Sequence, residues 1–236
     1  MKFDIITIFP KIFDSYFNES IVKRAHEKEI IKINIHNLRD FTVDKHKTVD
    51  DSPYGGGVGM VLMAEPIIKA VEKVSNPSTS LRASKKTKII LFSAKGRQFN
   101  QKMAYDWSKK FDQLILITGR YEGIDERVKT VLKAEEVSIG PYVLTDGEVP
   151  AMAVVSAVTR LLPGAIKLES LAEESHWNQL LKREKGGGKG KNGGLEYPHY
   201  TRPEVLEYKG KKYRVPKILL SGDHKKIEEW RKSKSI

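Results

Sequence analysis

The amino-acid sequence predicts an α/β fold with a parallel central sheet, followed by a small basic domain. Strand-like and helix-like segments alternate over the first 160 residues, as in folds that pack helices on a parallel sheet. Two short runs of branched apolar residues, Lys88–Phe92 and Gln113–Thr118, have the composition of strands that are buried on both faces. Most of the net positive charge lies from residue 178 onward.

Hydrophobic spacing assigns the individual elements of this fold. The segment Glu19–Glu29 repeats apolar residues at helical spacing, whereas Lys32–His36 alternates as a strand does. Pro66 is compatible with a helix because proline fits the first turn. The predicted strands are Phe3–Phe9, Lys32–His36, Lys88–Phe92, Gln113–Thr118 and Glu136–Ile139. The predicted helices are Glu19–Glu29, Ala64–Val74, Phe99–Lys109, Ile124–Lys133, Pro150–Leu161 and Asp223–Lys232.

The composition excludes several classes of protein. The chain has 236 residues and no cysteine, which rules out disulfides, thiolate nucleophiles and cysteine-based metal sites. No run of eighteen apolar residues is available for a transmembrane helix. Asp4 interrupts the apolar N-terminal run, so we expect a buried strand there and not a signal sequence. We therefore expect a cytoplasmic protein, and the sequence contains no dedicated cluster of metal ligands.

The net charge of +12 is concentrated in the C-terminal region. Residues 178–236 hold 16 Lys and Arg against 7 Asp and Glu, whereas residues 1–177 hold 26 against 23. This asymmetry fits either a solvated surface or the binding of a polyanion such as nucleic acid. Residues 185–194 contain six glycines and three lysines, a composition typical of flexible linkers. We predict a first domain over residues 1–162, a flexible linker over 163–195, and a mainly helical basic domain over 196–236.

Three glycine-containing segments are candidate ligand loops. Residues 54–60 are glycine-rich, residues 119–127 follow a buried strand with six charged or aromatic side chains, and residues 138–150 hold two glycines and two prolines before a helix. Ligands in open α/β sheets bind beyond the carboxyl ends of the strands, and the backbone groups of such loops suit an adenine edge. Taken singly, each segment also fits a purely structural loop or a strand–turn–helix corner.

Taken together, these segments resemble those of a known family over nearly the whole chain. The chain is similar to the bacterial tRNA (guanine-N1)-methyltransferases of the SPOUT superfamily. The motifs that carry the resemblance are DIITIFP, DDSPYGGGVGM, GRYEGIDER, SIGPYVLTDGEVPAM, PHYTRPEV and LLSGDH. The resemblance implies an α/β domain with a deep trefoil knot, which is an exception to the rule that chains do not thread. It also implies S-adenosylmethionine as methyl donor, guanosine 37 of tRNA as substrate, and a homodimer with its active site at the subunit interface. An association with Mg²⁺ is a further implication.

The implied chemistry requires a base. Guanine N1 carries a proton at neutral pH, so methylation needs proton removal, stabilisation of negative charge on O6, and an aligned methyl donor. The resemblance implies an Asp as base in an E-D-S-F-like motif, where this sequence has Glu173-Glu174-Ser175-His176. Glu174 falls at the position of the base, and Glu173 is the alternative. Arg160 matches an arginine that would oppose the charge on O6.

The resemblance also assigns binding residues. The implied cofactor-binding residues are Phe92, Ser93, Ala94, Gly119, Tyr121, Glu122, Gly123, Ile139, Gly140, Pro141, Tyr142, Val143, Leu144, Gly147 and Pro150. The implied substrate-binding residues are His46, Asp50, Tyr54, Gly55 and Gly59. Pro141 departs from the family pattern and has no backbone N–H to donate.

Two other functions compete with this interpretation. One is a knotted methyltransferase that acts on another RNA. The other is a non-catalytic RNA-binding protein in which the glycine loops are only structural. The set of motifs favours the tRNA methyltransferase over both.

Overall fold

The computed structural model describes residues 1–75, 86–167 and 197–234. The chain divides into two compact units, Met1–Ile166 and Lys167–Ile236. The predicted linker, residues 163–195, lies outside the described residues from residue 168 onward. None of the helices in the three described ranges is long and apolar enough to cross a membrane.

The first unit is built on a parallel sheet, which confirms the predicted α/β class. Its five strands lie in the order β2-β1-β6-β5-β7, and all neighbouring pairs are parallel. A separate antiparallel pair, β3 and β4, precedes the third helix. The strands are β1 (Lys2–Thr7), β2 (Lys32–Asn37), β3 (Asp50–Asp51), β4 (Val61–Leu62), β5 (Thr87–Gln98), β6 (Gln113–Ile117) and β7 (Glu135–Ser138).

Five helices of the first unit lie within a few residues of their predicted bounds, and the short helix Asp14–Phe17 was not predicted. Asn100 begins one of them by accepting a hydrogen bond from the Met103 N–H (3.0 Å), and Asp125 begins another by accepting from the Arg127 N–H (2.9 Å). The helices of the first unit are α1 (Asp14–Phe17), α2 (Ser20–Glu27), α3 (Ala64–Ser75), α4 (Gln101–Lys110), α5 (Glu126–Leu132) and α6 (Glu148–Thr159). The last of these, α6, is rich in Ala and Val and contacts α4, α2 and β1.

Strand β5 is longer than the sequence predicts. The prediction ended at Phe92, whereas the strand continues to Gln98 through an irregularity between Phe92 and Arg97. The polar residues 93–98 do not look like a buried strand, but Arg97 pairs with Val137 of β7. Gly96 allows this approach, because a Cβ there would lie 2.5 Å from the Val137 backbone nitrogen. The extension therefore depends on a contact with β7 that local composition does not reveal.

A buried carboxylate joins three strands at the start of the sheet. Asp4 on β1 is fully buried and accepts hydrogen bonds from Asn34 (3.0 Å) and Gln113 (2.7 Å), and its carboxylate oxygens lie 2.8 Å from His36 Nε2 and 2.9 Å from Lys2 Nζ. Burial raises the pKa of Asp4, but the hydrogen bonds from these partners outweigh burial and hold the pKa below its ordinary value. The carboxylate is therefore favoured in the folded state.

The described part of the second unit contains a hairpin and a helix. The hairpin consists of β8 (Val205–Tyr208) and β9 (Lys211–Arg214), and the helix α7 spans His224–Lys234 after a 3₁₀ turn at Lys217–Leu220. The helix confirms the prediction for the end of the chain, whereas the hairpin is an element that the sequence analysis missed. Lys209 and Gly210 form its turn with φ of 50° and 71°, the left-handed conformation of type I′ turns.

Replacing Asp4 by Asn tests the role of this carboxylate. We expect the variant to lose about 1–3 kcal/mol of unfolding free energy at pH 7, because buried donors lose their acceptor. The folded pKa lies below the unfolded value of about 3.9, so the contribution is complete above that pH and is lost as pH falls through the folded pKa. Urea unfolding between pH 7 and pH 3 should show the difference from wild type shrinking below about pH 4.

The exposed Asp14 provides the matched control, because Asp14→Asn removes a carboxylate that is not buried. We expect that variant to unfold like wild type at every pH. A penalty for Asp4→Asn that stayed constant down to pH 3 would contradict the assignment.

Candidate active site

A cavity of about 440 Å³ lies at the carboxyl ends of β6 and β7, beside the irregular part of β5. Its walls come from residues 91–95 of β5, the loop 119–126 after β6, and the segment 136–147 that ends β7 and follows it. This is where open parallel sheets bind their ligands, and the volume falls in the range of small-molecule sites. The geometry therefore identifies the candidate site without reference to any motif.

Thirteen of the fifteen residues expected to bind the cofactor line this cavity. The exceptions are Gly140 and Pro141; the Gly140 N–H donates to the Ser138 hydroxyl (3.2 Å), which donates to the Gly140 carbonyl (2.8 Å). The departure at Pro141 thus lies outside the cavity wall. The lining residues from the expected set are Phe92, Ser93, Ala94, Gly119, Tyr121, Glu122, Gly123, Ile139, Tyr142, Val143, Leu144, Gly147 and Pro150.

Two glycines hold the loops of the cavity together. The Gly147 N–H donates to the Gly119 carbonyl at 2.9 Å. A Cβ at Gly147 would lie 2.5 Å from the Gly119 nitrogen and 2.9 Å from the Thr118 Cα, so no larger residue fits. The segment after β7 therefore crosses directly over the end of β6.

A buried carboxylate anchors this crossing. Glu148, the first residue of α6, is fully buried and accepts hydrogen bonds from the hydroxyls of Thr7 (2.6 Å) and Thr118 (3.1 Å) and from Arg120 Nε (3.0 Å). The Arg120 guanidinium also lies 4.5 Å from the centroid of the Phe9 ring. The network fixes the start of α6 to the ends of β1 and β6. The sequence gives no sign of this network, because Glu148 and Thr7 lie 141 residues apart in the chain.

Asp146 adds a second carboxylate beside this network. Burial raises the pKa of Asp146, but other interactions outweigh burial and hold this pKa below its ordinary value. They are hydrogen bonds from the Val149 N–H and the Thr145 hydroxyl, the nearby charge of Arg120, and a hydrogen bond from the Glu148 N–H. The Arg120 guanidinium lies 3.8 Å from the Asp146 carboxylate. Asp146 therefore helps to fix both the N-terminus of α6 and the position of Arg120.

A cluster of four charged residues also lines the cavity. Lys95 lies 3.1 Å from Glu126 and 3.5 Å from Glu136, and Lys129 lies 2.6 Å from Glu136 and 3.4 Å from Glu126. The hydrogen bond to Glu126 is the main cause of the raised pKa of Lys95, and the bond to Glu136 is the main cause of the raised pKa of Lys129. These four residues, which we call the charged wall, add to the Arg120–Asp146 pair that also lines the cavity. Of the four, only Glu126 lies within a motif selected from the sequence.

The residues expected to bind substrate lie on a neighbouring loop. Asp50 belongs to β3, Tyr54 is fully exposed, and Gly55 and Gly59 both have φ of 88°. His46 is exposed in a turn closed by Asp44. None of these five residues, all in the described part of the chain, lines the cavity.

This neighbouring loop is attached to the cavity by backbone hydrogen bonds. The Glu122 N–H donates to the Met60 carbonyl, the Leu62 N–H to the Gly123 carbonyl, and the Asp125 N–H to the Leu62 carbonyl, each at 3.0 Å. A Cβ at Gly59 would lie 2.4 Å from Glu122 Oε1. The glycine-rich loop and the loop after β6 are therefore in direct contact, although their motifs lie some 60 residues apart.

Of the three candidate catalytic residues, the structure describes only Arg160. Arg160 follows α6 as its C-terminal cap, is half-buried, and does not line the cavity. Glu173 and Glu174 lie outside the described residues. Within residues 1–75, 86–167 and 197–234, no group of three or more His, Cys, Asp or Glu side chains is arranged to hold a metal ion.

Comparison with known proteins gives matches over the whole chain. A family model described as tRNA (Guanine-1)-methyltransferase TrmD matches residues 1–236. Proteins named tRNA (guanine-N(1)-)-methyltransferase from Thermomicrobium roseum, Carboxydothermus hydrogenoformans and Clostridioides difficile are 50%, 48% and 46% identical to this chain. These alignments cover 100% of this chain and 79%, 83% and 93% of the three relatives, respectively.

Proposed function

The chain belongs to the tRNA (guanine-1)-methyltransferase family, and on this premise we propose that it transfers the methyl group of S-adenosylmethionine to N1 of guanosine 37 in tRNA. The match over all 236 residues carries the proposal. The cavity supports it, because thirteen residues selected by the resemblance converge there from separate parts of the chain. A cytoplasmic location, expected from the sequence, is part of the same proposal.

The cavity suits S-adenosylmethionine, which supplies an activated methyl group next to a positive sulfonium. Ile139, Leu144 and Pro150 provide apolar surface for a flat ring, and Glu122 provides a carboxylate in the same space. We propose that the adenine lies against the loop after β7, and that Tyr121 and Glu122 face the methionine part or the target base. The charged wall and the apolar wall would then orient the ligand along the cavity.

The deep trefoil knot implied by the resemblance is part of this proposal. β7 pairs with β5 at the edge of the sheet, whereas α6, the next element, contacts β1 and α2. The intervening residues 139–147 therefore cross the ends of β5 and β6, where Gly147 lies against Gly119. This crossing supports a threaded path in which the loop after β6 encloses the segment after β7.

We propose that the catalytic groups act across a subunit interface. Arg160 caps the C-terminal end of α6 and Gly147 its N-terminal end at the cavity, so the two residues lie about 20 Å apart along the helix axis. An arginine side chain does not span that distance, which supports a homodimer in which Arg160 of one protomer serves the cavity of the other. Exposed apolar side chains beside the cavity, Val143 (85% exposed) and Val149 (44%), support an interface there.

In the proposed reaction, the side chains of this chain move one proton and stabilise one charge. Glu174 accepts the proton from guanine N1, and Arg160 stabilises the negative charge on O6. The C-terminal unit contributes phosphate contacts to tRNA, because most of the net positive charge lies from residue 178 onward. The resemblance also implies Mg²⁺, and removal by EDTA followed by readdition would measure that dependence.

The choice of nucleotide gives the most direct test of the function. We expect a tRNA transcript with guanosine at position 37 to accept one methyl group from labelled S-adenosylmethionine, and a matched transcript with adenosine at that position to accept none. Nucleoside analysis should identify the product as 1-methylguanosine. Methylation of the adenosine transcript at another guanosine, or of an unrelated RNA instead, would favour the alternative substrate. Failure to bind S-adenosylmethionine in calorimetry would favour the non-catalytic alternative.

Replacement of the candidate base gives a second test. We expect Glu174→Gln to lower kcat by about 10²- to 10⁴-fold, because the amide cannot accept the N1 proton. Binding of S-adenosylmethionine, measured by calorimetry, should persist. Glu173→Gln is the matched control and should retain turnover. Normal turnover in Glu174→Gln together with loss in Glu173→Gln would move the assignment to Glu173.

Complementation between subunits tests the shared active site. Leu144→Arg blocks the cavity and Arg160→Ala removes the guanidinium, so each homodimer should be inactive. A purified heterodimer of the two variants should recover about half of the wild-type turnover, because one cavity then meets an intact Arg160 of the other chain. A heterodimer as inactive as both parents would show that cavity and arginine act within one protomer, and light scattering would report whether a dimer forms.

A further inference from the structure

The hairpin of the C-terminal unit presents an exposed aromatic surface. Leu206 pairs with Tyr213 and Tyr208 pairs with Lys211, so these four side chains share one face of the two strands. We call this the tyrosine face. Leu206, Tyr208 and Tyr213 are 55%, 58% and 54% exposed, respectively. Three large side chains therefore stand side by side in solvent.

The backbone of the hairpin fixes the spacing of this face. Lys209 and Gly210 occupy a two-residue turn with positive φ at both positions, which sets the register of the strands. On the opposite face, Glu207 pairs with Lys212 and their charged groups lie 3.9 Å apart. The two tyrosines are thus held on a short, defined platform.

The charges around the tyrosine face favour an anionic partner. Residues 205–214 contain four Lys and Arg against one Glu. Lys209 Nζ lies 5.3 Å from the centroid of the Tyr208 ring, so a cation stands beside the aromatic surface. Aromatic rings next to cations are the combination with which proteins bind single-stranded nucleic acid, since every base has a face that can stack. A second copy of the same basic face would be repelled.

We propose that the tyrosine face binds an unpaired nucleotide of the tRNA, separate from the target guanosine. Tyr213 and Tyr208 stack on the base, and Lys209 and Lys211 contact the adjacent phosphates. A base-paired stem is a poorer partner, because its bases are already stacked inside the helix. This inference rests on the proposed function and specifies where the second unit recognises the same substrate.

The salt dependence of tRNA binding distinguishes the contribution of base stacking from that of phosphate contacts. We expect Tyr213→Leu and Tyr208→Leu each to weaken binding of the tRNA transcript by about 5- to 100-fold, with the slope of log K against log salt unchanged. Tyr213→Phe should bind like wild type, because the ring remains. Lys211→Ala should lower the magnitude of the slope by about 0.7 to 0.9.

Controls distinguish failure of this inference from failure of the proposed function. Tyr16→Leu, at an exposed tyrosine of the first unit (41% exposed), should leave tRNA binding unchanged. If wild type does not methylate tRNA, the proposed function is wrong. If wild type methylates tRNA and the tyrosine variants bind it equally well, this inference is wrong.

Photo-crosslinking provides a second readout that does not depend on a destabilising variant. With benzoylphenylalanine in place of Tyr213, we expect a crosslink to an unpaired nucleotide of the bound transcript. A crosslink confined to a paired stem would overturn the proposal. A crosslink to a second protein chain, with a matching change of mass in light scattering, would assign the face to an interface between copies and would also overturn it.

Discussion

The buried carboxylate of Glu148 fixes the start of α6 to the ends of β1 and β6, and the shape of the cavity depends on this contact. Its partner Thr7 ends β1, Thr118 directly follows β6, and Arg120 begins the polar part of the loop that forms one wall. Breaking a buried charged pair of this kind typically costs about 3–5 kcal/mol. A chain without Glu148 would therefore lose the anchor that holds the two cavity loops together at Gly119 and Gly147.

The length of α6 bears on the proposed catalytic arrangement. Because α6 starts at the cavity and Arg160 follows its last residue, its length separates the cavity from the candidate arginine. The contacts of this apolar helix with α4, α2 and β1 hold the separation fixed within one protomer. In the proposed dimer, the second protomer supplies the missing groups, and methyl transfer becomes conditional on assembly. The rigid anchor at Glu148 would then set the geometry of both active sites at once.

The sequence predicts those parts of the fold whose signal is local. Strand β6 can be predicted because all five of its residues are buried, and its run of Leu and Ile is typical of a strand buried on both faces. The extension of β5 and the contacts of Glu148 could not be predicted, because both depend on residues that are distant in the chain. Thr7, for example, lies 141 residues before Glu148. The hairpin was not predicted, because Lys is an uncommon residue at a turn position with positive φ and is therefore a weak sequence signal for a turn. The cavity residues were selected by resemblance to a family, since composition alone cannot show which loops converge.

The proposed methyl transfer and the proposed binding to the tyrosine face both require an unpaired base in the substrate. Guanine N1 lies on the Watson–Crick edge, so a methyl group can reach it only when the base is unpaired. Phosphate contacts from a basic domain give affinity but do not distinguish a loop from a stem. A platform that stacks an unpaired base makes that distinction through Tyr208 and Tyr213, whose exposed rings have no use in binding a duplex backbone. Recognition by the second unit would thus select RNA in the conformation that the reaction itself requires.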